Sequence, residues 1–294
     1  MYNKPTKGGI FMCLFKKFAS AILVLAMIFS CVVPAFAVNE KTYLILGDSI
    51  GAGEGIANPD EASFGKIIAD TIGYNYVNDA VSGYNSEALL VHLELPSIKK
   101  DIRQASLISL SIGGNDFLVD NMAAMAFEAI LLEDYGRFDR IAEDFYDNFC
   151  KIIDKIKSCN PKAILLVHNL YNPRMGIGRE IYQQGVNRLN AVYERYLKEH
   201  PGSYYIVDDE SAIGDNSAYI AVDTIHPTAQ GNIQIAKAVL RTLNSIGITK
   251  KTELVINNKG LDICGGGFDN IINGAREILE SITQFLLSLI GIEV

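Results

Sequence analysis

The sequence predicts an α/β fold, a parallel sheet of about five strands with helices on both faces. Short β-rich runs alternate with longer stretches of helical periodicity, the rhythm such a sheet requires. The 294 residues, less an N-terminal leader, suit one such domain with an appendage and can bury a sizeable core. Neither an internal repeat nor a low-complexity segment interrupts the pattern.

The strands are expected at 43–46, 74–78, 107–112, 164–168 and 204–207, and helices at 62–72, 86–95, 138–157, 179–200 and 228–245. Parallel strands all hand the chain to loops on the same edge, so residues at their C-terminal ends converge on one crevice. Reactive groups are expected just after each strand.

Two stretches stand outside this rhythm. Residues 118–132 carry Met122, Met125 and Phe127 among other apolar side chains directly after the third strand. They read either as a core helix or as a flap lining an acyl pocket, a use that flexible Met side chains suit. Beyond Lys250, past Gly265-Gly266-Gly267, apolar residues from Ile271 to Ile290 recur at helical spacing, with Arg276, Glu277, Glu280 and Gln284 opposite. This amphipathic helix is expected to dock on the domain or pair with a second chain. Membrane contact is the lesser expectation, because interfacial helices favour several Lys and Arg and this one carries Arg276 alone.

Residues 1–37 do not read as part of the fold. Lys16 and Lys17 precede an apolar run from Ala19 to Val33, and Ala35-Phe36-Ala37 offers the small residues of a signal peptidase site. The run falls short of the roughly 20 apolar residues a membrane span needs. The expected organisation is a signal peptide at 1–37, a catalytic domain at 38–248 and a C-terminal extension at 249–294, in a secreted or extracytoplasmic protein. Acylation and retention at Cys31, in a loose lipobox, is the minor alternative.

Cleavage removes four lysines and no acidic residue, which takes the formal charge from −8 to −12. Such acidity disfavours nucleic acid and anionic lipid surfaces as partners, since both are bound through Lys and Arg. Cys150, Cys159 and Cys264 remain, an odd number with no metal-ligand spacing, so neither a disulfide scaffold nor zinc is indicated. Cys150 and Cys159 are the pair to test first, although a common helix would hold them apart. No metal or cofactor is expected.

The chemistry begins at Gly47-Asp48-Ser49-Ile50-Gly51-Ala52-Gly53. A serine at a strand-to-loop switch among glycines holds its hydroxyl exposed beside backbone N–H donors. The third glycine of a dinucleotide loop is missing at Ile56, and no Lys-Ser/Thr follows as in a phosphate loop. A serine hydroxyl needs a base. His92, His168 and His200 sit in contexts that suit core or surface roles, whereas His226 lies in Asp223-Thr224-Ile225-His226-Pro227, before a helix and after the last strand. Asp223, three residues earlier, can accept from Nδ1–H and leave Nε2 for the serine. Donors for an oxyanion are available from Asn115 in Gly113-Gly114-Asn115-Asp116, from the Gly83 N–H and from the Ser49 N–H.

Taken together, Gly47-Asp48-Ser49, Gly83, Gly114-Asn115-Asp116 and Asp223-x-x-His226 resemble the four ordered blocks of the SGNH (GDSL) hydrolases, from about residue 43 to 243. The resemblance implies a flavodoxin-like three-layer α/β/α sandwich. It further implies that Ser49, Gly83, Asn115 and His226 occupy the four namesake positions, with Asp223 as the acid. Asn85 stands where many members carry Thr, and the C-terminal helix lies outside the family fold. The expected activity is that of a serine esterase or lipase working through a Ser49–His226–Asp223 triad, on a lipid, glycan or other small-molecule ester. Met122, Met125 and Phe127 are candidate substrate contacts. An exported glycan O-deacetylase and a non-catalytic surface module on the same fold are the alternatives.

Overall fold

The computed structural model describes residues 41–118, 125, 128–129, 132, 134–173 and 179–257. The expected leader, Cys31, Met122, Phe127, Cys264 and the amphipathic helix beyond residue 257 lie outside them.

The sheet consists of β1 (Thr42–Gly47), β2 (Asn75–Asn78), β3 (Ala105–Ser111), β4 (Ile164–His168) and β5 (Tyr205–Val207). All neighbours are parallel and the order is β2-β1-β3-β4-β5. This is the flavodoxin-like order, whose direction of winding reverses beside the first strand and opens a crevice there. Successive side chains of a strand face opposite sides. Leu44, Leu46, Ile108, Leu110, Leu165 and Val167 therefore enter one core layer, and Tyr43, Ile45, Leu107, Leu166 and Val207 the other. Burial on both faces explains why β1 and β4 read as nearly unbroken apolar runs.

Helices cover each face. On the first lie α4 (Ser86–His92), α5 (Pro96–Gln104), α7 (Gly136–Cys159) and α8 (Arg179–Glu199). Phe138, Ala142, Phe145, Phe149, Ile152 and Ile156 form the buried stripe of α7 at helical spacing. On the second lie α3 (Phe64–Ile72) and α10 (Ala229–Ser245). Short helices α1 (Ser49–Ala52), α2 (Pro59–Ala62), α6 (Gly114–Leu118) and α9 (Asp209–Ile213) occupy loops after the strands.

The helix expected at 62–72 is α3, which starts two residues later because Ser63 is extended (φ −65°, ψ 153°) and its hydroxyl accepts from Lys66 N as the cap, just where the separate turn α2 ends. One expectation about helices needs correction. The helix expected at 86–95 stops at His92, and α5 begins anew with Pro96 in its first turn, where a missing N–H costs nothing. Cys150 and Cys159 are free thiols on α7. Nine residues of helix separate them by about 13 Å, beyond the reach of a disulfide.

The first described residues of the expected extension run against the domain. The Val255 N–H donates to Thr71 Oγ1 at 2.9 Å, the Asn244 side chain donates to the Lys251 carbonyl at 2.8 Å, and Leu254 packs on the second core layer. Among the described residues no helix is long and apolar enough to cross a membrane, and no cluster of side chains is suited to hold a metal ion.

Candidate active site

Ser49 opens α1 directly after β1. Gly47 makes this turn possible: at φ +120° it lies so close to β3 that a Cβ would stand 1.7 Å from the Ser111 carbonyl oxygen. Asp48 caps α1 by accepting from Ile50 N at 3.1 Å and accepts from the Ser111 hydroxyl at 2.6 Å, while its own N–H donates to the Ser111 carbonyl. Burial pushes the Asp48 carboxyl up to about 6, against these hydrogen bonds. The nucleophile turn is thus fastened to β3 through residue 48, and Ser49 is 8% exposed at the rim of the crevice.

His226 reaches the same rim from the far end of the domain. Asp223 Oδ1 accepts from Ile225 N and His226 N, both at 2.9 Å, and Thr224 takes φ +62°, an uncommon conformation for a side chain branched at Cβ. This turn aims the imidazole. Asp223 Oδ2 accepts from His226 Nδ1–H at 2.8 Å, which leaves Nε2 to accept from the Ser49 hydroxyl at 2.8 Å. Burial draws the His226 pKa down, but the hydrogen bond and charge of Asp223, with the charge of Glu54, outweigh it and the net shift is upward. Asp223 moves the opposite way: burial raises it, and the bonds from His226 and the turn prevail to lower it.

The donors come from the loops after β2 and β3. Gly83 has φ +82° in the first, and Asn115 lies in α6 in the second. The Asn115 amide donates to the Tyr84 carbonyl at 2.8 Å. Asp116 accepts from Ser86 N at 2.9 Å and also from the Ser86 hydroxyl, clamping α6 to the start of α4. Asn85, the departure noted in the sequence, caps α4 by accepting from Ala88 N at 2.9 Å. Its role here is structural.

Beside Ser49 lies a narrow cavity of about 50 Å³, walled by Phe117, Leu170, Tyr171, Tyr182, Val186 and Leu189. Met125, expected as a substrate contact, is instead fully buried in the first core layer with Phe117, Ala129 and Phe138. The walls on α8 and after β4 carried no signal beyond ordinary apolar periodicity. Glu54 was also missed: its Oε2 stands 3.7 Å from His226 Nε2.

His168 and Asp209 line the floor of the same cavity, but neither is hydrogen-bonded to the relay. His168 is buried, hydrogen-bonded through Nδ1 to Asp209 Oδ2 at 2.8 Å and through Nε2 to Ser109 Oγ at 3.0 Å, and Ser109 meets the Tyr43 hydroxyl at 2.7 Å.

A doubly covered parallel sheet carrying a serine, a histidine and an aspartate in register at its C-terminal edge defines the class of flavodoxin-like α/β hydrolases. The sequence model of the GDSL-like lipase/acylhydrolase family matches residues 45–232, and the chain belongs to that family. It is therefore an ester hydrolase by kinship. It is 27% identical over 227 residues to the uncharacterized protein YpmR of Bacillus subtilis, covering 72% of this chain and 86% of that one. It is 24% identical over 201 residues to the spore germination lipase LipC of Bacillus licheniformis, covering 64% and 90%. Among solved structures, a lipase from a goat rumen metagenome superposes with a TM-score of 0.56 at 20% identity, over 69% of this chain and 97% of that one. That likeness shows the shared fold.

Proposed function

We propose that this protein is an exported serine esterase that cleaves short-chain carboxylic esters through an acyl-enzyme. The observation that carries the reading is the unbroken relay from Ser49 Oγ through His226 to Asp223, with 2.8 Å at each contact. A surface module that only binds has no need of that relay.

In the first half-reaction Ser49 Oγ bonds to the ester carbonyl carbon while its proton passes to His226 Nε2. The negative charge on the carbonyl oxygen is met by N–H groups of Ser49, Gly83 and Asn115. Asp223 holds the imidazolium in place. The C–O bond to the alcohol then breaks, and Nε2 returns the proton to the departing oxygen. In the second half, water attacks the acyl-Ser49 carbonyl, gives its proton to Nε2 and releases the acid.

The cavity beside Ser49 is small and partly open, and it sets Leu170, Val186 and Leu189 beside the polar Asn115 and Asn169. Such a lining suits a small acyl group, and it supports a glycan O-deacetylase as the second reading.

Export rests on the leader pattern of residues 1–37. N-terminal sequencing of the protein recovered from culture medium is expected to begin at Val38. The catalytic reading is tested by a fluorophosphonate probe together with p-nitrophenyl esters of increasing chain length. Labelling at Ser49, and loss of turnover in Ser49→Ala, are expected; wild-type turnover by that variant would refute the mechanism.

A further inference from the structure

Glu54 stands at the relay, and the chemistry above gives it no task. Its backbone closes the nucleophile turn, with Glu54 N donating to the Ser49 carbonyl at 3.0 Å. The next residue, Gly55, lies against His226. The carboxylate is 40% exposed, and His226 is its one ion-pair partner among the described residues.

Its position matters because of which nitrogen it approaches. Nε2 returns the proton to the departing alcohol, so the leaving oxygen must come within about 3 Å of it. A carboxylate 3.7 Å from that nitrogen stands beside the leaving group, on the alcohol half of the ester. A substituent on the adjacent carbon of the alcohol reaches about 3 Å beyond the ester oxygen, through ordinary bond lengths. It can therefore meet Oε2 directly. The electrostatic surroundings point the same way: Asp48 and Asp223, the other charged groups that act on His226, are both acidic.

We propose that Glu54 is a specificity-determining residue that selects the alcohol half of the ester. Its carboxylate accepts a hydrogen bond from a hydroxyl vicinal to the ester oxygen, and it repels alcohols that carry an anionic group there. The inference rests on the triad reading above. The preferred leaving groups are polyols, and a glycerol unit and a sugar unit share the required chemistry.

The test uses the full mature chain and reads ratios of kcat/KM at constant acyl group. One arm compares 1-monobutyrin with n-propyl butyrate. The other compares a methyl xyloside 2-O-butyrate with its 3-deoxy counterpart. In the wild type at least one arm is expected to favour the hydroxylated ester about five- to tenfold, as for a charge-assisted hydrogen bond at a partly exposed group. The arm with the larger ratio identifies the source of the polyol. Glu54→Ala should bring that ratio close to one. Glu54→Gln should keep part of it, because its amide oxygen still accepts, but should lose discrimination against a glycerol phosphate ester. Glu54→Ala should also move the midpoint of the kcat/KM profile to lower pH, which a purely structural role would not do. Ratios near one in both wild-type arms, or an unchanged ratio in Glu54→Ala, would overturn the inference while leaving the triad intact. If Ser49→Ala hydrolysed these esters at the wild-type rate, the triad reading itself would fall, and this inference with it.

Discussion

The side-chain amide of Asn115 donates to the carbonyl oxygen of Tyr84 at 2.8 Å, joining the loop after β3 to the loop after β2. One amide hydrogen is thereby committed to the protein, and the second is left to point at substrate. Asn115→Ala removes both the donor and the tie. It should lower kcat by roughly 10²- to 10³-fold with a smaller effect on KM, measured by steady-state hydrolysis of a short p-nitrophenyl ester.

The pH profile follows from the upward shift of His226. The neutral imidazole is the working base, so activity is present above the folded pKa and is lost as pH falls through it. The kcat/KM midpoint is expected above the ordinary histidine value of about 6.5. Asp223→Asn should bring it down, because the charge and hydrogen bond that raise it are gone. A midpoint that stays put in that variant would contradict the assignment.

Gly55 adopts φ +93°, and a Cβ there would stand 2.7 Å from His226 Cβ and 2.9 Å from the Pro227 carbonyl oxygen. Gly55→Ala should push the imidazole away from Ser49 and slow turnover by about 10²-fold, as misplacement by an ångström does. The positive φ also makes Ala strained there, so a lower Tm is expected; slower fluorophosphonate labelling well below that Tm, where the variant is fully folded, would mark the effect as positional.

His168→Leu takes from Asp209 its buried partner while leaving that carboxylate 1% exposed. Denaturant unfolding should show a loss of roughly 3 kcal/mol, the usual consequence of stranding one member of a buried pair. A change below about 0.5 kcal/mol would mean that the Tyr43–Ser109–His168–Asp209 chain contributes little to the fold.

Much of this was legible in the sequence because parallel strands buried on both faces announce themselves. The runs expected at 43–46 and 164–168 fall on β1 and β4 nearly residue for residue. Ser49, Asp223 and His226 were legible because each sits in a turn whose local chemistry is visible, and the structure brings all three together. The helix α5 was readable and overlooked: Leu95-Pro96 marks its start, and Ile98 and Ile102 are its buried pair four residues apart. Glu54 was of another kind. Its approach to His226 joins residues 172 positions apart, and nothing local to either records it. The same holds for Asp209, which looks like any acidic residue opening a helix until β4 places His168 beside it.

Nucleophile and base are separated by 177 positions, one on the first strand's exit and the other just before the last core helix. A nascent or truncated chain that ends before residue 226 therefore carries an inert hydroxyl, however well its first strands have formed. Asn232 of α10 accepts from Phe64 N at 3.0 Å, so the seating of that helix is sensed at α3 as well. Ester turnover in a refolding experiment would thus report completion of the whole domain, lagging behind any signal that follows the sheet alone.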